Sequence, residues 1–297
     1  MSPDIRTVFP QQNLSADTVL CKIVIRHGFR SDSRPFVPLQ SEIQLRFGGA
    51  VVDNVSYPWK DHVILNGLRT AVTLVEALDS DLPIVLIGHS MGGLVCRIAN
   101  LALTRTADVQ KEVFRSAWSS TKPKFVEAKQ LAKRLRPRTV RGVATLATPN
   151  SATLTLGQTA SALKPVHFLV RHGFPNKAAS FADLTTSGLF RRFQDFESKT
   201  PTLSISGSST SRFGTIASGA GIALGFASSL ALPNDGVVED RSVDLRQSVL
   251  PNEVYRFGGA PYTHHRTYRN CDQVTHSDIY DDAGARELLF DFIARIL

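Results

Sequence analysis

The sequence predicts an α/β fold, with a mostly parallel central sheet covered by helices on both faces. Three observations carry that expectation. Short β-branched runs alternate along the chain with stretches whose apolar residues recur at helical spacing. The run Ile84-Val85-Leu86-Ile87 is apolar at every position, as a strand buried on both faces must be. No internal repeat or low-complexity linker divides the 297 residues, so a single domain over 1–297 with insertions is expected.

Val19 to Arg26 reads as a strand running directly into His27-Gly28-Phe29. Gly49 to Val55 reads as a second, ending at Ser56-Tyr57-Pro58-Trp59. In 60–78, Val63, Ile64, Leu68, Val72, Val75 and Leu78 recur at helical spacing. The 84–87 strand follows, and Leu94 to Leu101 then reads as a helix with few polar positions. Residues 105–137 read as helical, with amphipathic order around Phe125 to Leu135. Val140 to Ala147 is a strand leading to Thr148-Pro149-Asn150. Residues 150–200, rich in Ser, Thr, Ala and Phe, read as short helices. Thr202 to Ser206 and Val254 to Phe257 read as further strands. Ala283 to Ile296 closes the chain as an amphipathic helix that packs Leu288, Leu289, Phe292 and Ile296. Cap- or lid-like insertions are expected at 105–137, 150–200 and 209–233.

At 42% apolar and 20% charged, the composition suits a globular protein with a sizeable core. Its three cysteines, Cys21, Cys96 and Cys271, are an odd number and far apart. Two of them lie in apolar patterns, so buried free thiols are expected rather than a disulfide framework. The opening Met-Ser-Pro-Asp-Ile-Arg lacks the basic start and apolar core of a signal peptide, which makes a cytoplasmic location the expectation. Between Arg105 and Arg141 eleven Lys or Arg stand against Asp108, Glu112 and Glu127, an excess that matches the whole net charge of +8. A solvated helical face is the first reading of that stretch, and peripheral contact with an anionic membrane surface the second. Nucleic acid is not expected as a partner, because no reading motif accompanies the charge. From Phe213 to Pro233 the chain carries no charge and is dominated by Gly, Ser, Thr and Ala. An apolar lid or substrate-facing helix is preferred there over buried packing or a membrane span.

Chemistry enters at Gly88-His89-Ser90-Met91-Gly92, a G-x-S-x-G set between a strand and a helix. A serine hydroxyl is a poor nucleophile until a histidine takes its proton and an acid orients that histidine. Asp235, in Asn234-Asp235-Gly236, is the candidate acid, with Glu239 and Asp240 as alternatives and a plain surface turn as the competing reading. His276 is preferred as the base over His264 and His265, because it directly precedes the final helix. The backbone N–H groups of Met91 and Phe29 are the candidate oxyanion donors, with Gly28 allowing close approach. His27, Gly28 and His89 are candidate substrate contacts. No metal site is expected: the adjacent His264 and His265 point different ways, and Asp278, Asp281 and Asp282 read as an acidic helix N-terminus.

With these residues in place, the chain resembles the α/β-hydrolase superfamily, and within it the lipase-like and inositol-deacylase-like serine esterases. The resemblance rests on Arg26-His27-Gly28-Phe29, Tyr57-Pro58-Trp59, Gly88-His89-Ser90-Met91-Gly92-Gly93, Thr145-Leu146-Ala147-Thr148-Pro149, Asn234-Asp235-Gly236-Val237-Val238 and His276-Ser277-Asp278. It implies hydrolysis of a carboxylic ester through an acyl-enzyme, with no metal or organic cofactor. Arg26 departs from the apolar residue such lipases usually carry before His-Gly. Asn150-Ser151 departs from the usual His and small residue after Thr-Pro. Both departures bear on the entrance to the site. The uncharged and basic stretches point to a lipid or acyl ester as the small-molecule substrate. An acyltransferase or thioesterase on the same triad, or a non-catalytic hydrolase-fold binder, are the alternatives.

Overall fold

The computed structural model describes residues 21–29, 31–77, 82–115, 123–150, 199–208, 266–272, 274 and 276–297. Asp235, Glu239, Asp240, His264 and His265 lie outside them, as do the 213–232 segment and the Val254–Phe257 strand expected from sequence.

β1 (Cys21–Arg26) leads through a 3-10 turn at Arg34–Phe36 into α1 (Val37–Arg46), β2 (Ala50–Asn54) and α2 (Val63–Ala77). β3 (Ile84–His89) and α3 (Met91–Thr104) are separated by Ser90 alone, and α4 (Thr106–Arg115), α5 (Pro123–Arg134) and β4 (Val140–Leu146) follow. β5 (Thr202–Ser208), β6 (Arg266–Asp272) and α6 (Ala283–Ile296) complete the described elements. The six strands form one sheet in the order β2-β1-β3-β4-β5-β6, and every neighbouring pair is parallel.

Alternation along each strand divides the core into two layers. Val24, Ile84, Leu86 and Val143 pack under α2 and α3. Within the expected insertion at 105–137, Val109 and Val113 of α4 and Ala128, Leu131 and Ala132 of α5 enter that same layer. Ile23, Ile25, Val85, Ile87, Ala144 and Leu146 face the other way, beneath Phe36, Leu39 and Ile43 and against α6. The final helix matches its sequence bounds and buries Leu289, Phe290, Phe292 and Ile293, each worth roughly 2 kcal/mol of transfer. Asp282 caps its N-terminus, accepting from Ala285 N at 2.8 Å. Ion pairs Arg46–Glu287 at 2.5 Å and Arg286–Glu42 at 3.2 Å tie it to α1.

Neither α1 nor β6 is anticipated from the sequence, and β6 shows why. Its Arg-Thr-Tyr-Arg-Asn-Cys-Asp has no apolar run, and it borders the described sheet through β5 alone, so it needs less apolar surface than a central strand. β1 and β3 lie side by side although β2 falls between them in the chain. The chain moves to one side of β1 and then crosses back to the other. In open parallel sheets, ligands bind beyond the carboxyl ends of the strands at such a reversal. Among the described residues, no helix is long and apolar enough to cross a membrane.

Candidate active site

Ser90 stands at the carboxyl end of β3, beside that reversal. Its backbone is at φ 53°, ψ −125°, a conformation open essentially to glycine alone. The surrounding structure enforces it. Ser90 N donates to Leu146 O at 2.8 Å, continuing the β3–β4 ladder, while Gly93 N donates to Ser90 O at 3.0 Å and begins the helix. The two flanking glycines are required by contact. A Cβ on Gly88 would strike the backbone of Gly92 and Gly93, and one on Gly92 would strike the carbonyls of Arg26 and His27. The end of β1 therefore rests directly on the first turn of α3. Beyond β4, Ala147 is also at positive φ (48°), and it turns the chain so that the Thr148 side chain packs against Gly93. That contact gives the Leu-Ala-Thr-Pro sequence its physical meaning.

The loop after β1 lies against the serine. A Cβ built on Gly28 would come within 3.0 Å of Ser90 Cβ and 3.2 Å of His89 Nδ1. His27, buried at 1% exposure, is spent on holding this loop. Its Nδ1 donates to Gly28 O at 2.9 Å, its Nε2 accepts from Tyr57 N at 3.2 Å, and its ring stacks on Tyr57 at 4.3 Å. Tyr57 Oη in turn donates to His27 O at 2.7 Å. These bonds need a neutral imidazole, and burial pushes the His27 pKa down in the same sense. Phe29 is half-buried, edge-on to Trp59 at 4.9 Å. Met91 is the first residue of α3, where backbone N–H groups lack intrahelical partners.

His276 arrives from the segment between β6 and α6. His89 Nε2 lies 2.8 Å from His276 O, and the two rings are 4.9 Å apart. Since His89 precedes Ser90, His276 is brought into the immediate neighbourhood of the serine. Of the residues singled out from sequence, the structure thus gathers His27, Gly28, His89, Ser90 and His276, with Phe29 and Met91 adjoining. His27 and His89 are both buried, which bears against direct substrate contact. The anchoring roles of Tyr57 and Thr148 are not evident from the sequence, although both residues stand in the motif pieces that carry the resemblance.

The two departures from lipase-like sequences are also placed. Arg26, only 4% exposed, turns to the edge of the sheet. It donates from Nε to Thr70 Oγ1 at 3.3 Å and from Nη1 to Ile25 O at 2.9 Å and Asp53 Oδ1 at 3.4 Å. Asn150 is fully buried, and its carbonyl and side-chain oxygens accept from Arg97 Nη1 at 3.1 and 3.2 Å. Burial raises the Cys21 thiol to about 11 and Cys96 to about 12, so both are held as unreactive thiols. In the basic stretch, Lys124 pairs with Asp61, and Arg134 donates to Glu76 at 2.6 and 2.7 Å. Carboxylates from α2 and the turn before it thus offset part of the charge excess.

A parallel sheet with helical layers on both faces, and a strained serine between β3 and α3, define the α/β-hydrolase fold. Solved structures bear this out. The chain is similar to Bacillus licheniformis lipase BlEst2 in its mature form, with a TM-score of 0.57 and 18% identity, over 94% of this chain and 93% of that one. It is also similar to Staphylococcus hyicus lipase, with a TM-score of 0.54 and 17% identity, over 96% and 98% of the two chains. At these identities the likeness is one of fold. No protein-family model matches the chain, and no curated protein matches it significantly in sequence.

Proposed function

We propose that the protein is a serine hydrolase that cleaves carboxylic esters, with Ser90, Asp235 and His276 as its catalytic triad. The observation that carries the reading is the strained Ser90 at the carboxyl edge of the sheet, packed against the Gly28 loop and adjoining His89, whose ring meets the His276 segment. In the proposed reaction His276 takes the Ser90 proton as Oγ attacks the acyl carbon, and Asp235 orients and supports the resulting imidazolium. The N–H groups of Phe29 and Met91 stabilise the oxyanion. His276 returns the proton to the departing alcohol as the ester C–O bond breaks, leaving an acyl group on Ser90. Water, deprotonated by His276, then releases the acid and restores the serine. In chain order His276 follows β6, whereas His264 and His265 precede it, which supports His276 as the base.

Ser90→Ala is expected to abolish turnover of a p-nitrophenyl acyl ester, by up to ~10⁶-fold, and to abolish labelling by a fluorophosphonate. Retained turnover would refute the assignment. The substrate class proposed is a lipid or long-chain acyl ester, with the 213–232 segment taking the acyl chain. Support for it comes from the uncharged composition of that segment and the basic composition of 105–141. A preference for palmitate over butyrate esters, strengthened by anionic vesicles, is the expected result; a preference for short soluble esters that vesicles do not alter would contradict it.

A further inference from the structure

We infer that His89 is a positioning residue that tethers the His276 segment through a hydrogen bond from its Nε2–H to the His276 carbonyl, and so presents the His276 ring to Ser90. The inference rests on the proposed roles of Ser90 and His276, and replaces the expectation that His89 contacts substrate.

Strand geometry sends His89 to the required place. In β3, Val85 and Ile87 face the layer formed by α1 and α6, so His89, two residues further on, faces it too. That is the face on which the chain passes from β6 to α6, carrying His276. Ser90 breaks the alternation with its positive φ, so adjacent side chains divide the work: one stands at the sheet's edge and the other reaches down to the segment behind it.

The surroundings of His89 suit a tether. The residue is 7% exposed. Its ring lies edge-on to Tyr280 at 5.2 Å and tilted towards Phe36 at 5.8 Å, and those two rings pack on each other at 4.5 Å. The Gly28 loop closes over its Nδ1 side. Tyr280 is itself held, because Arg286 of α6 donates from Nε to its carbonyl at 2.9 Å.

A carbonyl only accepts, so Nε2 carries the proton in the 2.8 Å contact, and the tautomer is set by that bond. Burial, together with the nearby His276 and His27, lowers the His89 pKa to about 3, so the ring stays neutral. Neutrality has a catalytic consequence. When His276 accepts the serine proton, an imidazolium forms 4.9 Å from this ring, and a neutral neighbour does not oppose it.

Two substitutions separate tethering from packing. His89→Leu fills the pocket without a donor, whereas His89→Gln places an amide N–H at a similar reach. His89→Leu is expected to lower kcat by roughly 10–100-fold with KM within about twofold, and His89→Gln to restore most of that loss. Amide hydrogen exchange, measured in a Ser90→Ala background where activity plays no part, should quicken in peptides spanning 274–281 for His89→Leu and stay near the parent for His89→Gln. Equal loss in both variants, accompanied by an equal fall in melting temperature, would mean packing alone and overturn the inference. So would unchanged kinetics or unchanged exchange in His89→Leu. Turnover retained by Ser90→Ala would overturn the hydrolase reading and the catalytic role of the tether together, whereas unchanged His89→Leu kinetics in an enzyme that does depend on Ser90 would overturn the tether alone.

Discussion

Replacing Ser90 by glycine and by alanine separates two things that the wild-type residue combines, a hydroxyl and a strained backbone. Both variants lack the nucleophile, so both are expected to be inactive; only alanine keeps the Cβ that makes φ 53°, ψ −125° costly. A non-glycine residue in this region costs about 1–3 kcal/mol, and the neighbouring contacts leave the backbone no alternative. Ser90 N is fixed to Leu146 O, and the turn is packed against Gly88, Gly92 and the end of β1. Glycine removes that strain but gives the unfolded chain about 0.4–1 kcal/mol of extra freedom. The net expectation is that Ser90→Gly is more stable than Ser90→Ala by roughly 0.5–2 kcal/mol. For a chain of this size, that corresponds to a melting temperature about 1–3 °C higher. Thermal melts by circular dichroism, repeated in denaturant, measure the difference. A Ser90→Gly variant that melts at or below Ser90→Ala would refute the argument that the nucleophile's position is maintained against backbone strain.

The pKa of His89 makes a second prediction, about stability and pH. Its folded value is about 3 against an ordinary 6.5, so between these values the unfolded chain binds a proton that the folded chain does not. Stability contributed by neutral His89 is therefore present above about pH 6.5 and falls as pH is lowered towards 3, by ~2 kcal/mol at about pH 5. The His27 pKa is lowered too and acts in the same sense, while His276 and Tyr280 face the His89 ring. Melting curves of wild type and His89→Gln should diverge on acidification, the wild type losing more; parallel curves would rule this out. Tyr57→Phe removes the 2.7 Å bond to His27 O and is expected to cost about 1–2 kcal/mol, read as a lower denaturant midpoint. An unchanged midpoint would show that water replaces the bond without loss. Gly92→Ala drives a methyl group into the Arg26 and His27 carbonyls, so it should destabilise the fold and reduce fluorophosphonate labelling together. Wild-type labelling and melting would contradict the close approach of β1 to the serine turn.

How much of this could be read from sequence differs from element to element. β1, β3, β4 and α6 were legible because local patterns dictate them: apolar runs for buried parallel strands, and an amphipathic repeat for the last helix. β6 was not legible, because its residues are mostly polar and only its pairing with β5 makes it a strand. Ser90 was legible because glycine, serine and glycine at fixed spacing between strand and helix encode one tight turn. From the sequence alone, Arg26 bears on the site entrance. The structure instead turns its guanidinium to Asp53 and Thr70, residues 27 and 44 positions away that no local pattern connects to it.

The sequence by itself determined most of the central strands, the helices with a strong apolar repeat and the serine turn, because these follow from short-range periodicity and steric limits on the backbone. Only the tertiary structure decided what His27 and His89 face. His27 is committed to Tyr57 and Gly28, and His89 to a carbonyl 187 residues away. Those partners depend on strand parity, sheet order and the folding back of the last segment. Two histidines that look alike in sequence become a loop brace and a tether because burial and long-range hydrogen bonding, which local pattern does not carry, assign them their neighbours.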